Sequence, residues 1–181
     1  MTQLIDRKLD RAFRQIDFDG NGVIERDDLV GMGSRLLSAF GEPATSPKGT
    51  AVMAGVVTFW TELSAAVDID GDDRITPEEY QRGMVSTFVD NPTAVDRAFR
   101  PMVEAMAGLL DTDADGTISI SEYVAALDVL GTAGPEAREA FSRLDVDGDG
   151  ALTVDELVAG SVQFYTGTDP DAPGNLMFGQ V

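Results

Sequence analysis

The chain runs to 181 residues, 43% of them hydrophobic, with 32 acidic against 13 basic side chains and a formal charge of −19. It holds neither cysteine nor histidine. That excludes disulfides, thiol chemistry and cysteine–histidine zinc clusters, together with every catalytic triad or metalloprotease motif that needs an imidazole, so no enzymatic activity is expected. The length suits one domain or two small ones, with enough apolar residue to bury a core.

Met1 to Lys8 is charged early, has no apolar signal core, and carries Thr2 where N-myristoylation needs glycine. No apolar run is read as approaching the roughly 20 residues of a span. The expectation is a cytoplasmic protein with no membrane partner. Leu4, Ile5, Leu9, Ala12, Phe13 and Ile16 recur at helical spacing. Arg7, Lys8, Arg11 and Arg14 are interleaved with Asp6 and Asp10, so they read as a solvated face rather than a nucleic-acid surface. A helix marked by Leu29, Met32, Leu36, Leu37 and Phe40 follows the first acidic loop, its Gly31 and Gly33 lowering intrinsic stability.

Residues 41–49, with two prolines and two glycines, read as a linker. Val52, Val56, Phe59, Trp60, Leu63 and Val67 then mark a helix with Trp60 as a core anchor, and Tyr80, Met84 and Phe88 a second one, stopped at Asp90-Asn91-Pro92. Val95, Phe99, Met102, Val103, Met106, Leu109 and Leu110 form the next, with a kink expected at Pro101. Tyr123, Val124, Leu127 and Leu130 precede a short Gly/Pro connection. Ala137, Ala140, Phe141 and Leu144, then Leu157, Val158, Ser161, Phe164 and Tyr165, mark the last two helices. Beyond Thr166 the chain is polar until Leu176-Met177-Phe178, an apolar triplet that a solvated tail does not need.

Between these helices lie four acidic loops, starting at residues 17, 68, 111 and 145, at intervals of 51, 43 and 34 residues. The last two meet every constrained position of D-x-[DN]-x-[DN]-G-x₅-E. Asp111, Asp113, Asp115 and Glu122 supply one, and Asp145, Asp147, Asp149 and Glu156 the other, with glycine at position six and Ile118 or Leu152 at eight. A hard cation such as Ca²⁺ takes six to eight oxygens, so three aspartates, a backbone carbonyl at position seven (Thr117, Ala151) and a two-oxygen glutamate at twelve form a cage for it. Thr153 at position nine offers a hydroxyl or a held water. Loop one has Asp17, Asp19, Asn21 and the Val23 carbonyl but ends in Asp28, one methylene short, which favours weaker Ca²⁺ binding or a Mg²⁺-tolerant site, with Glu25 able to compensate or to stabilise the helix start. Loop two keeps Asp68, Asp70, Asp72, the Arg74 carbonyl and Glu79 but has Asp73 where the sharp turn wants glycine, so it is handicapped. Fifteen of the 32 acids stand at ligand positions, and without metal they repel one another.

These loops resemble the EF-hand. The uneven spacing, the long first linker, the Phe18-Asp19-Gly20-Asn21-Gly22 opening, Asp28 at position twelve and Pro101 are together similar to calerythrin and the sarcoplasmic calcium-binding proteins. The resemblance implies an all-α fold: four EF-hand helix–loop–helix units, as two pairs in one compact domain around a shared core. It also implies short β-bridges between paired loops, at Ile24 with Ile75 and Ile118 with Leu152, and a second hand that is often defective. The expected division is 1–90 for the first pair, 91–165 for the second and 166–181 for a tail packed on the core. The methionines read as scattered (Met32, Met53, Met84, Met102, Met106, Met177), not as a concentrated target-binding surface. The leading expectation is therefore a monomeric Ca²⁺ buffer or signal modulator. The alternative is a Ca²⁺ sensor that presents an apolar groove to a protein partner, with the tail as a displaceable plug.

Overall fold

Eight α-helices carry the chain: α1 (Gln3–Ile16), α2 (Arg26–Ala39), α3 (Pro47–Val67), α4 (Pro77–Met84), α5 (Pro92–Leu110), α6 (Ile120–Val129), α7 (Gly134–Leu144) and α8 (Val154–Thr166). The structure is a computed structural model and describes residues 3–177. Strands β1 (Ile118–Ser119) and β2 (Ala151–Leu152) pair antiparallel, Ile118 opposite Leu152 and Ser119 opposite Ala151. Ile24 and Ile75 form the equivalent bridge, each amide donating to the other's carbonyl at 2.9 Å. All four position-eight side chains are buried, so the loops are tied in pairs from inside the core.

The helices begin and end largely where their apolar periods do. Ser46 accepts from the Gly49 amide and Pro47 opens α3, so the first turn of that helix occupies the end of the expected 41–49 linker. Gly49 is needed there because a Cβ would meet the Pro43 carbonyl. Asn91 does more than stop the preceding helix, since its side chain caps α5. After α4 the chain continues through a π-helical turn, Val85–Val89, and α5 runs through Pro101 as one element.

Three expectations need correction. Helix α3, 21 residues with an 18-residue stretch of mean hydropathy 1.4, is long and apolar enough to cross a membrane, contrary to the expectation that no run approaches that length. Its buried residues, Val52, Val56, Phe59, Trp60, Leu63 and Val67 among them, pack on α2, α4 and α5, while Ala51, Ala54, Val57 and Ala65 make its exposed face apolar as well. Lys8 is not on a solvated face but fully buried, its ammonium donating to the Gly167 carbonyl at 2.8 Å and the Gln163 carbonyl at 3.4 Å. It thereby satisfies carbonyls at the C-terminus of α8, where a cation is favoured. Lastly, Met32, Met102, Met106 and Met177, scattered in sequence, converge on one interior cavity.

Two apolar clusters fill the interior, and neither keeps to one half of the chain. The first is built on α1 to α5 but includes Phe164 and Tyr165 of α8, Tyr165 packing on Phe99 at 4.7 Å between ring centroids. The second is built on the end of α5, α6, α7 and β2 but includes Leu36, Leu37 and Val52. A 3₁₀ turn, Pro173–Leu176, lies against α7 and α8. Leu176 packs on the second cluster and Met177 on the first, while Phe178 lies outside the described residues.

Candidate metal centres

One hydrogen-bond scheme recurs in all four loops and explains their shape. The amide of position six donates to the first carboxylate at 3.0–3.1 Å: Gly22 to Asp17, Asp73 to Asp68, Gly116 to Asp111, Gly150 to Asp145. The amide of position seven donates to the side chain at five at 2.8–2.9 Å: Val23 to Asn21, Arg74 to Asp72, Thr117 to Asp115, Ala151 to Asp149. The carboxylate at twelve then clasps both ends of its loop. It accepts from the amide of position two with one oxygen and from that of position nine with the other.

Asp28 makes both of these contacts, from Phe18 at 3.0 Å and Glu25 at 2.7 Å, despite its shorter side chain. It is buried and accepts also from Asp19 at 3.2 Å. In the other loops Thr76, Ser119 and Thr153 complete a capping box with the glutamate at twelve. The Thr153 hydroxyl, one of the two ligands expected at position nine beside a held water, is thus committed to Glu156 at 2.9 Å. Glu25 takes the same place ahead of α2, in a capping box with Asp28, and also reaches Asn21 at 3.4 Å and Arg74 at 3.6 Å.

Oxygens of three acids converge in each loop, all within 4.8 Å of one another: Asp17, Asp19 and Asp28; Asp68, Asp70 and Asp72; Asp111, Asp113 and Glu122; Asp145, Asp147 and Glu156. Loop two thus gathers its three aspartates, whereas the other three loops bring in the residue at twelve. Carboxylates so close repel, and a divalent cation among them removes the repulsion. Asp17 supplies a direct test of that fit, because its Oδ1 is buried without a hydrogen-bond donor. An oxygen left so in a cluster of acids suits a hard cation.

Protonation follows the same geometry. Burial pushes the Glu122 carboxyl up, but hydrogen bonds from the hydroxyls and amides of Thr112 and Ser119 outweigh it and hold the group down to about 2. Glu79 is likewise lowered, chiefly by the Thr76 amide and hydroxyl. Asp70 is raised, by desolvation and then by the Asp72 charge beside it.

The turns themselves hold one feature that the motif hides. Position six is left-handed throughout, with φ of 90°, 89° and 88° at Gly22, Gly116 and Gly150 and 63° at Asp73, so loop two keeps the turn with the wrong residue. Position four is left-handed as well: Gly20, Gly71 and Gly148 suit it, but in loop three it is Ala114, at φ 61°. A column of the four loops shows glycine at that position in three of them, which was the signal available. Lys48 was not findable that way; from the first turn of α3 it donates to the Asp111 carbonyl at 2.7 Å, tying the first half of the chain to loop three.

Known proteins share this arrangement. The EF-hand family model matches residues 9–32, 108–127 and 137–160, spans that include loops one, three and four. Calerythrin of Saccharopolyspora erythraea is 30% identical over 144 residues, covering 79% of this chain and 81% of that protein. The chain belongs to the EF-hand family, in its calerythrin group. It is a calcium-binding EF-hand protein, and its four paired helix–loop–helix units are the fold that the sequence implies. A calcium-binding protein of Streptomyces coelicolor, solved as the structural basis for prokaryotic calcium-mediated regulation, is 35% identical with a TM-score of 0.85, over 91% of this chain and 99% of that one. The sarcoplasmic calcium-binding protein of amphioxus superposes over the whole of both chains with a TM-score of 0.79 at 16% identity, so what it shares with this EF-hand chain is the fold.

Proposed function

We propose that the protein is a cytoplasmic, monomeric Ca²⁺ buffer or signal modulator with unequal sites. Loops three and four are the full ones. Their ligands are Asp111, Asp113, Asp115, the Thr117 carbonyl and Glu122, and Asp145, Asp147, Asp149, the Ala151 carbonyl and Glu156. Loop one is a third site, through Asp17, Asp19, Asn21, the Val23 carbonyl and Asp28, and tolerates Mg²⁺ because its last ligand is short. Loop two, with Asp68, Asp70, Asp72, the Arg74 carbonyl and Glu79, is the weakest.

The observation that carries the buffer reading is the burial of the hands' apolar faces in each other. Among the described residues the large hydrophobics that stay exposed are Val57, Ile69 and Val146, single residues of which two occupy position two of a loop. Buffer hands barely open on Ca²⁺, whereas sensor hands expose a methionine-rich groove. Calorimetric titration with Ca²⁺, repeated in millimolar Mg²⁺, tests the site ranking: two sites indifferent to Mg²⁺ and one that competes are expected. A hydrophobic dye bound strongly by the Ca²⁺-loaded protein and not by the metal-free one would overturn the buffer reading.

The sensor reading keeps one specific support, the description of the Streptomyces coelicolor relative as a calcium-mediated regulator. In that reading residues 166–181 are a plug over the apolar interior, and their deletion creates a Ca²⁺-dependent binder of apolar peptide; a truncation without such binding counts against it.

A further inference from the structure

We infer that the interior cavity between the two pairs of hands binds a small uncharged apolar molecule with the bulk of a single aromatic ring. Its volume is about 180 Å³. An apolar cavity of about 150 Å³ in another protein stays dry and takes benzene or xenon, so this one has the size for a ring and not for a fused polycycle. No carboxylate, ammonium or guanidinium group is among its described walls. Five polar side chains reach it, those of Gln15, Thr132, Tyr123, Ser161 and Tyr165; Gln15 donates to the Leu130 carbonyl at 3.1 Å, and the Ser161 hydroxyl to the Leu157 carbonyl at 3.1 Å or Met177 Sδ at 3.4 Å.

These side chains turn little polar surface toward the cavity beside the apolar walls, so the space rewards an apolar occupant over water. Met32, Met102, Met106 and Met177 make up much of the wall, and unbranched thioether chains re-pack around a guest and favour aromatic edges. The four come from α2, from α5 and from the turn after α8, so a guest touches helices of both pairs at once.

The test uses the whole, Ca²⁺-loaded chain with ¹³C-labelled methionine methyls, titrated with benzene. Saturable shifts are expected at Met32, Met102, Met106 and Met177, with Met53 and Met84, which do not line the cavity, unmoved. Ala126→Leu, which fills the space from the α6 wall, abolishes the saturable response while leaving the Met53 and Met84 signals in place. Should that variant not fold, Leu127→Phe serves the same purpose. Shifts that grow linearly at Met53 and Met84 as much as at the four cavity methyls would overturn the proposal. So would a saturable response that appears only in a chain ending at Met177, since residues 178–181 would then be the natural occupant.

Discussion

At the scale of single residues, backbone handedness decides more than ligand chemistry does. Ala114 and Asp73 hold positive φ where the sister loops have glycine, and the left-handed region costs a residue with a Cβ about 1 kcal/mol or somewhat more. Ala114→Gly is therefore expected to stabilise the Ca²⁺-loaded protein by about 1 kcal/mol in urea unfolding. Asp73→Gly gives a similar gain and, unlike Ala114→Gly, adds a calorimetrically countable site. Lys8 sets a pH signature of its own. Burial pulls its ammonium down to about 8, against an ordinary 10.5, with Asp169 opposing weakly. The charged form is thus disfavoured in the folded state, so its cost is complete below pH 8 and is relieved as pH rises toward 10.5. Relative to Lys8→Met, the parent chain should gain stability between pH 8 and pH 10; parallel curves for the two proteins would refute that assignment. No sequence pattern announced this buried lysine, because its partners are backbone carbonyls more than 150 residues away.

At the scale of helices, glycine governs how closely two elements approach. A Cβ on Gly83 of α4 would sit 2.5 Å from the Val67 Cα at the end of α3, a backbone atom that cannot swing aside. Gly108 of α5 faces open space. Gly83→Ala is expected to cost about 1–3 kcal/mol through overpacking, while Gly108→Ala gains up to about 1 kcal/mol from helix propensity. Chemical denaturation of the pair separates contact from propensity, since the two changes are chemically identical. The helices themselves were legible from apolar spacing, while the bridges at Ile24 with Ile75 and Ile118 with Leu152 came from the resemblance to the EF-hand, and both are present. The start of α3 was not, because Ser46-Pro47 reads as linker chemistry and as a helix cap equally well. The gathering of Met32, Met102, Met106 and Met177 was also hidden: which helices face each other across the core is a property of packing, not of period.

For the molecule as a whole, charge and metal act together. Fifteen of its 32 acids stand at the ligand positions of four loops, against 13 bases in all. Chelating the metal leaves those groups facing one another, and binding confined to the folded state adds to its stability. The melting temperature is expected to fall in chelator. Added sodium chloride should recover part of the loss in the metal-free protein and change the Ca²⁺-loaded one much less, because salt screens exposed like charges over about 10 Å at 0.1 M. Equal salt effects in both states would mean that loop repulsion does not limit stability. The oxygen cages were plain in the sequence because a cation's needs are written in consecutive residues, whereas the cavity is assembled from side chains as far apart as Gln15 and Met177.

The exchange of side chains between the two apolar clusters reaches further than stability. Phe164 and Tyr165 stand among the helices of the first pair, and Leu36, Leu37 and Val52 among those of the second. If the backbone were severed between Asp90 and Asn91, each fragment would be missing part of its own interior and carrying part of the other's. Mixed together, such fragments should find one another and rebuild the whole, as two pieces of one broken object fit along a single irregular seam.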